Sequence, residues 1–258
     1  MKKEPIAIRQ RGPQLALFVV VYYLIVILRL RSPVLDLAPR DILPEGESVR
    51  SFFGVGLPAA VGPFLFDLDY MVIDRLMAGH SDVALAAIGI VLKVERLPLN
   101  TGVGLCLGMV PLAAYNYSSG NIPRMEGILR FTRTVGTGIA LGSIALYELF
   151  APGLIRLFIG DAATVALGAG FLRIRALATV LMFLSFIYVH LFQAVGQGGR
   201  ALFLAVFRWA GVNIPMLFLL NALFGMYGIV WAQLVSDVIV ATLSWWIYHR
   251  WKKKALGI

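Results

Sequence analysis

Charge is what this sequence has least of. Only 14% of its 258 residues are Asp, Glu, Lys or Arg, against roughly 25% in soluble domains. Cysteine is nearly missing too: Cys106 stands alone, so no intrachain disulfide can form. There is no His-Glu-x-x-His, no Gly-x-Ser-x-Gly and no paired metal-ligand spacing. A membrane enzyme is therefore the weakest functional class, and neither a metal nor an organic cofactor is expected. Gly102, Gly104 and Gly108 form a glycine ladder, but no Gly-Lys-Ser/Thr follows, which excludes a phosphate loop. Internal repeats and low-complexity segments are absent as well.

Hydrophobicity is what the chain has in excess. Of its residues 59% are hydrophobic, and the mean hydropathy is +0.82. This is the composition of a polytopic integral membrane protein. The net charge of +9 does not argue for nucleic acid, because the basic residues fall between apolar segments and at both ends, as in loops on one face of a bilayer. The basic-then-apolar start lacks a small-residue cleavage site, since residues 29–33 read Arg-Leu-Arg-Ser-Pro. The first apolar run is thus expected to be a retained span.

Hydropathy predicts an all-α membrane helix bundle with seven spans. Residues 1–50 hold a polar tail, one span at 14–30 and an interfacial connector. Residues 51–258 hold a six-helix lobe with spans at 51–77, 83–115, 128–150, 168–195, 201–223 and 228–248. Residues 151–167 read as interfacial, and residues 224–227 as a hinge. Trp245, Trp246, Tyr248 and Trp251 form an aromatic belt before Lys252, Lys253 and Lys254, the pattern of an interface anchor. Arg29, Arg31, Arg40 and Arg50, then Arg124, Arg130 and Arg133, then Arg200 and the terminal lysines fall on one side. The positive-inside rule makes that side, and the C-terminus, cytoplasmic. Lys2, Lys3, Arg9 and Arg11 would then face outside, against the same rule.

Residues 89–121 carry the chemistry. Lys93, Glu95 and Arg96 interrupt an apolar run just before Pro98, and intramembrane charge is by default a functional-site hypothesis. The preceding span holds Asp67, Asp69 and Asp74. At 1.5 Å per residue, Asp67 lies about 24 Å from residue 51, and Lys93 about 15 Å from residue 83. An antiparallel pair crossing a ~30 Å core brings them to similar depth. Lys93 and Arg96 share one helix face, as do Asp67, Tyr70 and Asp74. The expected pairing joins Asp67 and Asp74 to Lys93 and Arg96, leaving Asp69 and Glu95 for other partners. Two readings stay open: a cation-responsive network that biases alternate arrangements, or ion pairs that fix helix packing.

Pro98 and Pro63 each free a carbonyl four residues back, at Val94 and Ala59. Such carbonyls line a cation-binding cavity or are repaired by neighbours. Tyr70, Asn100, His190, Gln193, Asn213 and Asp237 are the tentative substrate-cavity residues, with hydrogen-bonded packing the competing role, favoured for His190. Asn116-Tyr117-Ser118 matches a glycosylation sequon, but in a turn expected to be cytoplasmic.

From about residue 28 to 254 the chain resembles the C-terminal lobe of the multidrug and toxic compound extrusion (MATE) family. The resemblance rests on Gly56-Leu57-Pro58-Ala59 and on the run from Ala84 to Ile90. It continues through a glycine-rich helix leaving by Gly108-x-x-Pro111-x-x-x-Tyr115-Asn116-Tyr117, the run from Phe192 to Gln197, and Gly225-Met226-Tyr227-Gly228-Ile229. It implies two six-helix lobes working by alternating access, of which this chain supplies one. Residues 14–30 then correspond to the last helix of a first lobe, which accounts for the charge conflict at the tail. The implied function is export of amphipathic organic compounds coupled to H+ or Na+, in a bacterial inner or plasma membrane. The partners would be the lipid bilayer, a small organic substrate and a second lobe or second copy, with no nucleic acid. The alternatives are a truncated, non-transporting membrane protein and a lipid or polysaccharide flippase of related architecture. One departure counts against sodium: some branches carry an acid deep in the tenth helix, and residues 181–185 here are apolar around Ser185.

Overall fold

The computed structural model describes residues 17–18, 20–23, 25–26 and 46–256, with residues 46–59 and 255–256 described by backbone alone. The basic tail and most of the connector up to residue 45 lie outside the described residues. The chain divides into two units, Met1–Phe52 and Phe53–Ile258. In the first, the described positions between 17 and 26 are helical.

The second unit is helical throughout its described residues apart from short turns. Helix α1, Gly46–Ala78, starts within the first unit's residues and ends in the turn where the amides of Gly79 and His80 donate to the carbonyls of Leu76 and Met77. Ser81 caps α2, Asp82–Ser118, by accepting from the Ala84 amide at 3.0 Å, which satisfies a donor the first turn leaves free. Gly120, at φ 75°, turns the chain into α3, Ile122–Arg156. Asp161 caps α4, Ala162–Ala176, accepting from the Thr164 hydroxyl at 2.7 Å and its amide at 2.8 Å. These two bonds hold its carboxyl below the usual aspartate range.

Helix α5, Thr179–Ala194, follows at a bend of 47°. The sequence predicts one span over residues 168–195 and an interfacial stretch before it. The structure instead extends α3 to Arg156 and breaks the span at residues 177–178. No Pro or Gly lies at the break; Arg175, buried in the core, lies in the last turn of the helix before it. Helix α6, Gly198–Val206, leads through a π-helical turn, Phe207–Asn213, into α7, Ile214–Leu256.

Among the described residues, the stretches Asp82–Ser118, Ile122–Arg156 and Gly198–Lys254 are long and apolar enough to cross a membrane, and the bent pair α4–α5 adds a fourth. Gly198–Lys254 has 57 residues, about 85 Å as one straight helix, far beyond a ~30 Å core. It is broken at Gly225, where φ is 60° and ψ is −142°, inside the hinge expected at 224–227. A Cβ at Gly228 would overlap the Leu220 carbonyl, so the turn needs glycine twice.

Three apolar clusters stack along the bundle. One joins Ile73, Ile88, Ile155, Phe171 and Val230 near the start of α2. A small central cluster holds Leu99, Ala140, Met182 and Phe183. The third gathers Met125, Leu129, Leu191, Phe192 and Trp251 near the end of α2. The Phe183 ring lies where a Cβ on Gly102 would sit, so this glycine permits the close approach of α2 and α5. Phe131, Leu149, Phe150, Trp245 and Trp246 are exposed on the outside, as a lipid-facing surface requires.

Candidate functional site

Five charged side chains converge inside the lobe: Asp69, Glu95, Arg175, Arg208 and Asp237, all buried. Glu95 on α2 accepts from Arg175 on α4 twice, from Nε at 2.8 Å and from Nη2 at 3.3 Å. A two-bond fork of this kind fixes orientation as well as charge. Arg208 lies against Asp237 on α7 at 2.6 Å, and its Nη1 donates to Ser185 Oγ on α5. Its guanidinium also sits over the Phe186 and Trp209 rings, at 4.9 and 4.7 Å. Gln233, one turn before Asp237, donates to the same carboxylate at 2.8 Å.

Asp69 differs from the other two acids. It is fully buried and takes part in no ion pair among the described residues; Asn213 Nδ2 donates to its Oδ1 at 2.7 Å. Asp69 Oδ2 and Asn213 Oδ1 have no hydrogen-bond partner. Asp69 lies within Coulombic reach of Arg175, Arg208 and Glu95, and Asp237 within reach of both arginines and Glu95. The five groups therefore form one electrostatic cluster of three carboxylates and two guanidiniums.

The π turn explains how two of these partners reach one centre. In an α-helix, residues five apart point about 140° away from each other. The π turn bonds residue i to i+5 and stacks them instead. Arg208 and Asn213 stand five apart and are both buried.

The expected pairing is only partly realised. Asp67 meets Arg96 at 3.4 Å, and both side chains are largely exposed, 71% and 48%. Arg96 also lies over the Phe66 and Tyr70 rings, at 5.6 and 5.1 Å. Lys93 and Asp74 are exposed and take part in no ion pair among the described residues. Asp69 and Glu95, left for other partners by the helix geometry, find them in Asn213 and Arg175. Of the cavity residues, Asn213 and Asp237 join the buried cluster, while Asn100 and Gln193 are exposed. His190 is half-buried, its Nδ1 at 2.8 Å from the Phe186 carbonyl one turn back. The Val94 carbonyl freed by Pro98 is repaired: Tyr147 Oη donates to it at 2.9 Å.

Arg175 and Arg208 are functional candidates that hydropathy reasoning passed over. Arg175 reads as a residue at the mouth of a span. Arg208 lies in the apolar run 201–223, and the rule that singled out Lys93 applies to it equally.

Comparison with known proteins identifies the family and the fold. The MatE family model matches residues 58–219. The multidrug export protein MepA of Staphylococcus saprophyticus is 30% identical over 236 residues, covering 91% of this chain and 50% of that relative. The MepA of Staphylococcus aureus strain MRSA252 is 28% identical over 235 residues, with the same coverage of 91% and 50%. An outward-facing multidrug resistance MATE transporter of the MOP superfamily superposes with a TM-score of 0.77 at 19% identity, covering 88% of this chain and 51% of that one. The Vibrio cholerae transporter VcmN in its bent form gives 0.74 at 19% identity, with 82% and 48% covered. The chain spans about half the length of the curated relatives it matches. Family model, relatives and architecture agree, and this chain belongs to the MatE family.

Proposed function

We propose that the chain is one lobe of a secondary transporter that exports amphipathic organic compounds in exchange for a cation, by alternating access with a second lobe. The buried cluster of three acids and two bases carries this reading. If all five groups are ionised, one negative charge is left over, and Asp69 is the acid without an ion-pair partner among the described residues. A proton on Asp69 Oδ2 removes that excess and supplies the donor that Asn213 Oδ1 lacks. The acid and the amide then exchange two hydrogen bonds in a closed ring. A sodium ion would need several oxygen ligands beside two guanidiniums, so the proton is the coupling ion favoured here. Uncompensated buried charge is costly; loading and unloading one proton therefore biases the packing of α1, α2, α4 and the π turn between two arrangements.

The exposed face of α1 and α2 supports the second lobe. Lys93, Arg96 and Asn100 lie on α2, which is long and apolar enough to cross hydrocarbon, and Asp67 of α1 pairs with Arg96; charged groups at that depth face protein or a water-filled cavity rather than lipid. Tyr70 and Arg96 offer an aromatic and a cationic surface at the edge of that cavity.

The test is transport of a lipophilic dye in liposomes under an imposed pH gradient. The chain is reconstituted alone, and together with the first half of a MepA-type relative. The expected outcome is proton-driven efflux that needs both halves and is lost in Asp69→Asn. Efflux that persists undiminished in Asp69→Asn removes the buried cluster from the mechanism.

A further inference from the structure

A groove of about 590 Å³ runs between the second half of α2 and the first half of α3. Its floor contains Gly104 and Gly108 of α2 and Gly127 of α3. Unlike Gly102, none of these glycines serves close helix packing: a Cβ at each would meet nothing within 4 Å. They hold the groove open. Leu105, Met109, Leu112, Ile128 and Phe131 make its walls apolar. The Thr132 hydroxyl at its inner end is committed to the Ile128 carbonyl at 2.9 Å. The one charged lining residue is Arg124, exposed in the first turn of α3, with no ion pair among the described residues.

We propose that this groove binds an anionic phospholipid, with the acyl chain along the glycine face and the phosphate on Arg124. The dimensions fit one leaflet. From Arg124 to Thr132, and from Leu112 to Gly104, the groove extends about 12 Å along each helix, within half of a ~30 Å core. Its polarity matches as well, with one cationic group at the interfacial end and hydrocarbon beyond it. A guanidinium suits a phosphate through charge-assisted, two-point hydrogen bonding. The groove also lies further along α2 than the surface offered to a second lobe: Gly104 to Leu112 stand about 6 to 18 Å beyond Asn100 on the helix axis.

Native mass spectrometry of the purified full chain in detergent tests this, titrating phosphatidylglycerol, phosphatidylcholine and inorganic phosphate in turn. Phosphatidylglycerol should be retained in preference to phosphatidylcholine, and inorganic phosphate should not displace it. Arg124→Gln should weaken phosphatidylglycerol binding about fivefold, as loss of one basic contact near an anionic headgroup implies. Gly108→Leu, which grows into open space, should abolish that preference while leaving the unfolding midpoint unchanged. Gly104→Leu fills the same groove and serves if Gly108→Leu fails to fold. Equal retention of both lipids overturns the proposal, as does undiminished phosphatidylglycerol binding in a folded groove-filling variant. It is also overturned if such a variant turns a dimer into a monomer with lipid binding intact, which would make the groove a protein interface.

Discussion

Glu95 and Arg175 bind each other through two contacts in the interior of the lobe. Removing one member of such a pair strands the other charge and costs about 3–5 kcal/mol. Glu95→Gln and Arg175→Met should therefore each lower the denaturation midpoint of the detergent-solubilised chain sharply. The double variant should lose less than the two single losses combined. Additive losses would mean the two side chains are not coupled. Tyr147→Phe isolates a smaller effect: the Val94 carbonyl, already deprived of its helical donor by Pro98, loses its replacement. That should cost about 1–3 kcal/mol in the same assay, and an unchanged midpoint would show that another donor replaces it. At this scale the sequence was informative about which helices carry charge, and less so about partners. Lys93 and Asp67 stand out because charge is rare there. Helical spacing separated Asp69 and Glu95 from the exposed pair. It had no means of bringing Arg175 to Glu95 or Arg208 to Asp237: the first contact joins helices that are not consecutive in the chain, and the second joins the π turn to the part of α7 beyond the break at Gly225.

Two irregular segments decide which side chains the helices bring together. The π turn Phe207–Asn213 brings Arg208 and Asn213 onto one buried face, and regular α-helical periodicity would place them apart. Sequence periodicity therefore misses it. The break at Gly225 was legible, because glycine beside aromatics between two apolar runs signals a turn. Its backbone lies where a side chain is strained, so Gly225→Ala should cost about 1–3 kcal/mol. Since α7 carries Asp237 beyond the break, the variant should also disturb the Arg208–Asp237 contact. Both effects are readable as a lower unfolding midpoint and a loss of dye efflux. Full activity and stability in Gly225→Ala would show that the break tolerates a side chain. The bend between α4 and α5 was not legible, for it lacks Pro and Gly.

For the molecule as a whole, low charge and high hydropathy already specify a membrane helix bundle, and the order of the junction motifs specifies its family. What they leave undetermined is the electrostatic balance of the interior, which depends on contacts between distant helices. The central claim is that this lobe holds one exchangeable proton at Asp69. Infrared difference spectroscopy of the purified chain, taken as pH is lowered, reads that proton directly. The account predicts a protonated carboxylic carbonyl band that is absent in Asp69→Asn, shifted in Asn213→Leu and unaffected by replacing choline chloride with sodium chloride. An identical band in wild type and Asp69→Asn, or one that sodium removes, would contradict it.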